Sequence, residues 1–489
     1  MRNFRFTTAA ILALTVSAQV ASAQMGTRFP SERKVIQDPV TGTELVFLTS
    51  QAGKGDHKIY QTHNQWTADG QWLVFRSERV PGEAIAANEQ TGEMVQVTEG
   101  GYTGMLNVSR KEMKLYISRP HLDKKQAKQL AEYNREMAEI RARMQAEGKS
   151  FSRENMPQPK TEKPVYGMEY VAIDLEALFA DSAAGKLKKA AEYETVLGVT
   201  PAEWGGGAIS ALDGDEKMAF FAVGKEYAAS QAGDMEIYGG YGTRGMGAGP
   251  SGLAYMDLAT GQCRYIRTLP FQVGHIQGNP WQGGEVIFCW ETGGKAPVRM
   301  WAMNADGSDY RPLYKETEYD WITHEAVITR DEVAFAMLGH RAISEMQQAV
   351  DKTGDPENPG QETGWGYCGT REYATGLGIV NMRTRELTLA GQIPFGSGFW
   401  HVAGSADGNW VAGDDFARNL YLIDRNTHEM ILLTTGHKTT AQDHPHPTFS
   451  PDGTKIEIQS AMLSEDGRSL NICIVKIPQH LLDRYNKKQ

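Results

Sequence analysis

Short apolar runs recur along the whole chain, separated by turns rich in Asp, Asn and Gly. Runs of this length between such turns predict β-strands rather than helices. The pattern repeats as a unit. Its clearest copy runs from WTADGQWLVFRSE (66–78) into AANEQTGEMVQVTEG (86–100): an x-Asp-Gly turn, an apolar strand, a strand ending in Asn, a Thr-Gly-Glu turn and a further strand. Weaker copies pair 108–119 with 169–178, 212–224 with 253–269, 281–291 with 299–314, 329–338 with 377–391, 405–415 with 420–436, and 450–460 with 470–478. Seven copies of a unit that cannot bury both faces alone predict an all-β fold, a seven-bladed β-propeller in which each blade packs on its neighbours. The segment Lys34–Thr49, with its strand ELVFLT, is placed to close the ring by joining the last blade.

Two stretches break the repeat. Residues 122–160 are rich in Ala, Glu, Lys, Arg and Gln and read as an amphipathic helical insertion in blade two, ended by NMPQP. A solvated cover or subunit contact suits it better than a catalytic role. The second, MEIYGGYGTRGMGAGPSG (235–252), is glycine-rich but opens no helix and carries no Lys-Ser pair, which argues against a phosphate cradle. It suits a mobile rim, with Arg244, Tyr238 and Tyr241 available to a sugar.

The first residues change the picture of where the protein works. Arg2 and Arg5, an apolar run from Ala9 to Val20, and Ala21-Ser22-Ala23 form an export signal too short to anchor in a membrane. The reading is a signal peptide over 1–23 and one propeller domain over 24–489, soluble and periplasmic, with no membrane insertion. The formal charge of −10 argues against nucleic acid as a partner. An acidic substrate then needs a locally positive site. Cys263, Cys289, Cys368 and Cys473 are scattered, none in a metal-binding CxxC spacing, and read mainly as small buried hydrophobes.

Candidate chemistry concentrates in TTAQDHPHPTFSPDG near the C-terminus, where His444 and His446 stand one residue apart and Gln442 two residues before. In an extended segment such side chains share one side. Two imidazoles and an amide oxygen suit a first-row divalent cation better than calcium. Three more histidines, His275, His324 and His401, precede the strands of successive blades, and His57 and His63 hold the corresponding place in blade one. Equivalent blade positions converge on the central funnel.

Several short stretches occur in one order over the whole chain: TADG, VTEG, PAEW (201–204), Gly-His with Pro280 beyond it, RMW with N-x-DGS (299–308), THE (323–325), His401 followed by ADG and VAGDD, and HPHP with FSPDG. In these the chain resembles the oligogalacturonate lyases, seven-bladed propeller enzymes that cleave short pectin-derived uronides. The resemblance implies His275 as the base that removes the C5 proton, and His324, His444 and His446 as ligands of a divalent ion, manganese above all. The family's fourth ligand is a glutamine three residues before the first HPHP histidine. Ala441 stands there, and Gln442 is the nearest substitute. An arginine after the Gly-His motif is also replaced, by Gly278 and Asn279. His57, His63, Arg244, Arg299 and His401 remain as candidates for substrate contact, Arg299 equally as a structural pair to an acidic strand residue.

Such a site makes physical sense. β-Elimination removes a weakly acidic proton beside a carboxylate, a divalent ion stabilises the charge that develops, and a neutral imidazole, with an ordinary pKa of about 6.5, takes the proton near neutrality. The expected partner is an acidic oligosaccharide, oligogalacturonate first, with ulvan-type or rhamnose-glucuronate glycans as the nearest alternatives. A non-catalytic periplasmic docking propeller explains the repeats and the export signal but not the histidines. A hydrolase would need a carboxylate pair that the sequence does not nominate.

Overall fold

The repeated turns show why the chain folds as it does. In the blade-opening turns, Thr67 and Ser450 bond the Asp two residues on and pair with Trp72 and Lys455 across the turn, while Gly70 and Gly453 take the left-handed backbone (φ 69° at each) that completes it. In the later turns a side-chain oxygen of Asn88, Asp257, Asn381 or Asp424 accepts the backbone N–H groups two and three residues ahead. These are Asx-turns, local chemistry repeated at a fixed place in each hairpin.

The computed structural model describes residues 24–51, 55–148, 156–241, 246–317, 320–339, 375–392 and 398–485. The expected signal peptide, Arg244 and Cys368 lie outside them. Seven antiparallel sheets follow one another along the chain and make the blades of a β-propeller. Their innermost strands are Asp56–Lys58, Thr103–Val108, Ala211–Leu212, Val273–Gly278, Asp320–Thr329, Phe399–Gly404 and Thr448–Phe449. Blade seven is completed by the N-terminal strand Glu44–Phe47, which pairs Leu45 with Val475 and Phe47 with Cys473 and carries Lys34–Gln37 on its outer edge. Closure of this kind removes the exposed edges of an open sheet and ties the two ends of the chain together.

The core lies between blades. Phe220 and Leu253 of blade three meet Val286, Phe288 and Trp290 of blade four, and Ala336 and Leu377 of blade five meet Val402 and Val411 of blade six. Helix α1 (Lys124–Ala146) lies between the second and third strands of blade two. Asp123 caps it in a reciprocal box with Gln126, and Met137, Ile140 and Met144 form its buried stripe. Cys289 and Cys473 are buried, Cys263 is half-buried, and all three are free thiols. No helix among the described residues is long and apolar enough to cross a membrane.

Candidate active site

The innermost strands of blades four, five and six are interrupted by irregular registers at Gly274/Gln277, Thr323/Ala326 and Phe399/His401. Two of these put a histidine in left-handed backbone, His275 at φ 45° and His324 at φ 53°, and His446, just before the first strand of blade seven, has φ 54°. Such backbone is uncommon outside glycine, although histidine tolerates it better than most residues. A bulge re-aims the side chain it carries.

The result is a closed circuit of rings. Tyr60 of blade one lies 5.5 Å from His275 and 5.4 Å from His446, His446 stacks on His401 at 3.6 Å, His401 lies 4.2 Å from His324, and His324 lies 6.2 Å from His275. Rings supplied by blades one, four, five, six and seven can meet only about the central channel.

On one side of the circuit is an imidazole cluster with its Nδ1 atoms tied back. His324 Nδ1 donates to the Trp400 carbonyl at 2.7 Å. Asp414, wholly buried, meets His401 Nδ1 at 3.2 Å and His444 Nδ1 at 2.9 Å, and accepts the His401 backbone N–H at 3.0 Å. A carboxylate or carbonyl on Nδ1 fixes the tautomer and leaves Nε2 as the free lone pair, the arrangement found behind metal-ligating histidines. Burial, reinforced by neighbouring imidazoles, holds the pKa of His324 and His401 well below the ordinary histidine range, so both rings are neutral at pH 7. Burial pushes Asp414 up to about 7, against the pull of His446 and Arg418. The ligand atoms of His401, Asp414 and His444 lie within 4.8 Å of one another. Imidazole nitrogens presented in this way suit a first-row divalent ion.

On the other side His275 stands between two carboxylates, Nδ1 at 3.3 Å from Glu325 and Nε2 at 3.4 Å from Glu291. Arg299 Nε donates to Glu325 at 2.9 Å, and its Nη2 lies 3.6 Å from Glu291. Burial alone would raise the pKa of Glu325 and Glu291; Arg299 and His275 outweigh it and hold both carboxyls below the usual range. His275, with its side chain 23% exposed, and Glu291, 19% exposed, form the open side of this network, and Arg299 and Glu325 its buried side. A half-open imidazole oriented by a buried carboxylate has the arrangement of a general base.

The structure sorts the remaining candidates. His57 is half-buried in the innermost strand of blade one; burial lowers its pKa, and the charges of Asp443 and His446 both reach it. His63 does not face a ligand: both ring nitrogens are engaged, Nδ1 with Thr62 at 2.9 Å and Nε2 with the Ser210 carbonyl at 2.6 Å, and burial pushes its pKa down to about 4. Arg299 is the structural pair to strand carboxylates rather than a free sugar contact. His401 lies inside the imidazole cluster instead of at the rim. Gln442 is exposed, its backbone N–H donating to Arg468, and Asp443 rather than Gln442 meets His446, at 3.0 Å. Tyr238 and Tyr241 pack on Trp290, one residue before Glu291, with ring centres 5.0 and 5.7 Å away.

Sequence reasoning missed Tyr60, Glu291, Asp414 and Asp443, and saw Glu325 only as part of THE. Asp414 carries a readable signal: in VAGDD two acids end an otherwise apolar strand that pairs with the one bearing His401.

No protein-family model matches the chain, and no curated protein matches it. Solved structures do. An oligogalacturonate lyase in complex with manganese aligns over 94% of this chain and 100% of its own, with a TM-score of 0.61 and 17% identity. An oligogalacturonate lyase from Vibrio parahaemolyticus aligns over the same shares, with a TM-score of 0.60 and 17% identity. The chain therefore has the seven-bladed propeller fold of the oligogalacturonate lyases.

Proposed function

We propose that the protein is a lyase that cleaves uronate-containing oligosaccharides, oligogalacturonate first among them, by metal-assisted β-elimination. What carries the reading is the pairing, in one channel, of a carboxylate-oriented half-open imidazole with an imidazole cluster in which His324, His401 and His444 have Nδ1 tied back. His324, His444 and His446 would hold the ion, with His401 between them. When bound, a divalent ion such as manganese supplies positive charge to the substrate carboxylate as C5 loses its proton. His275 Nε2 takes that proton. The C5–H electron pair becomes the C4–C5 double bond, the C4–O bond breaks, and its pair leaves on the glycosidic oxygen, which takes a proton from solvent water. Glu325 and Arg299 keep the His275 ring in place for the transfer. The export signal would set the reaction in the periplasm, on oligosaccharides already brought across an outer membrane.

The test is near-ultraviolet absorbance of the protein with oligogalacturonides and manganese. Elimination creates a conjugated unsaturated uronate, which hydrolysis and binding do not. We expect a rise that chelator abolishes and that His275→Ala lowers by about 10²–10⁴-fold in rate. No rise on galacturonides or on other uronate glycans would overturn the proposal.

A further inference from the structure

Arg418 sits in the turn between the second and third strands of blade six, Trp410–Asp415 and Leu420–Asp424. It is 5% exposed, its backbone is left-handed (φ 68°), and its Nε and Nη1 have no hydrogen-bond partner among the described residues. A buried guanidinium with two of its nitrogens unpartnered is costly. Its buried counterparts are paired: Arg299 with Glu325 at 2.9 Å and Arg311 with Glu285 at 2.8 Å. Acids close enough to act on Arg418 are present, but they are engaged elsewhere. Asp414 holds His401 and His444, Asp415 accepts both N–H groups of Asn419, and Asp443 meets His446 and Gln459. The same turn carries Phe416, whose ring lies 5.8 Å from His444 and 5.2 Å from Trp400, so it borders the imidazole cluster.

We propose that Arg418 is the carboxylate clamp of this site, pairing with a uronate carboxylate of an oligosaccharide bound beside the cluster. The inference rests on the reading of the channel as a site for acidic sugars. It supplies from blade six the cation that Gly278 and Asn279 do not provide in blade four. A planar guanidinium meets a carboxylate through two parallel bonds, which a lysine cannot reproduce.

Calorimetric titration of digalacturonate and of its methyl ester tests the clamp, in manganese-loaded His275→Ala protein so that nothing is turned over, with and without Arg418→Gln or Arg418→Lys. We expect Arg418→Gln to weaken the free acid by about 10- to 100-fold and the ester little, with Arg418→Lys between. Circular dichroism reports folding, and if the glutamine variant fails to fold the lysine variant decides. Unchanged affinity for the acid, equal losses for acid and ester, or no preference for the acid before substitution would each overturn the clamp. If acid-selective binding depends on Arg418 while the unsubstituted protein gives no absorbance rise, the clamp stands and the lyase reading falls.

Discussion

Glu325→Gln is the most informative single change, because it keeps the shape of a wholly buried side chain and removes only its charge. In the native protein one oxygen accepts from Arg299 Nε at 2.9 Å and the other lies 3.3 Å from His275 Nδ1. Breaking a buried ion pair from one side typically costs about 3–5 kcal/mol. Here the amide keeps one acceptor, and Glu291 remains 3.6 Å from Arg299, so we expect about 2–3 kcal/mol. The pH dependence gives the sharper reading. Against burial, Arg299 and His275 hold the folded pKa of Glu325 well below its ordinary value. A depressed carboxyl contributes stability that is present above its unfolded pKa, about 4.3, and is lost as pH falls through the folded pKa. The gap between native and variant denaturation midpoints should therefore be constant near neutrality and begin to close below about pH 4. A gap under about 0.5 kcal/mol at pH 7, or one that stays constant to pH 3, would show that the carboxylate does not carry the network.

Three further changes test other links. Asp414→Asn should weaken manganese binding by about 10- to 100-fold in a calorimetric titration, because it loosens His444, a proposed ligand, and His401 beside it; unchanged affinity would remove Asp414 as their orienting group. Gly104→Ala should cost about 1–3 kcal/mol in thermal unfolding, since φ is 83° and the new Cβ would stand 2.7 Å from the Ile209 carbonyl oxygen; a neutral result would mean that strand can relax. At His324, with φ 53°, the usual order of small residues should invert, His324→Gly unfolding about 1 kcal/mol later than His324→Ala. Equal stability of the two would refute backbone strain at that position.

What the sequence disclosed follows from which interactions are local. The x-Asp-Gly turns and the Asn88 and Asp424 turns are written within a few consecutive residues, so the blades and their order were legible. Ring closure was legible because Lys34–Thr49, with its strand ELVFLT, precedes the first repeat and belongs to none of the seven units. Arg299 and His63 show the limit. Their type and position fitted sugar contact, but Glu325 lies 26 residues from Arg299 and Ser210 lies 147 from His63. Pairings at that distance leave no spacing to read. Gln442 fails for a different reason: in a Pro-interrupted segment outside any ladder, alternation does not fix which way a side chain turns.

The left-handed histidines connect the fold to the proposed chemistry. Gly104 in blade two, at φ 83°, occupies the irregularity of its own innermost strand, as His275 and His324 do in blades four and five. The irregularity is thus not made by histidine; a blade without one adopts it with the residue that fits most easily. Where His275 and His324 stand, the chain accepts about 1–2 kcal/mol of strain per residue, and packing alone gives no reason for it at His275, whose side chain is 23% exposed. What each position offers is direction: a strand residue in regular alternation points into its own sheet's faces, between blades, whereas a left-handed residue departs from that alternation. Strain of this kind persists where the surroundings over-determine it and collects at working sites. Here the Trp400 carbonyl fixes His324 and Glu325 fixes His275, so the propeller holds 6.2 Å apart two unlike imidazoles, the one proposed to bind the ion and the one proposed to take the proton.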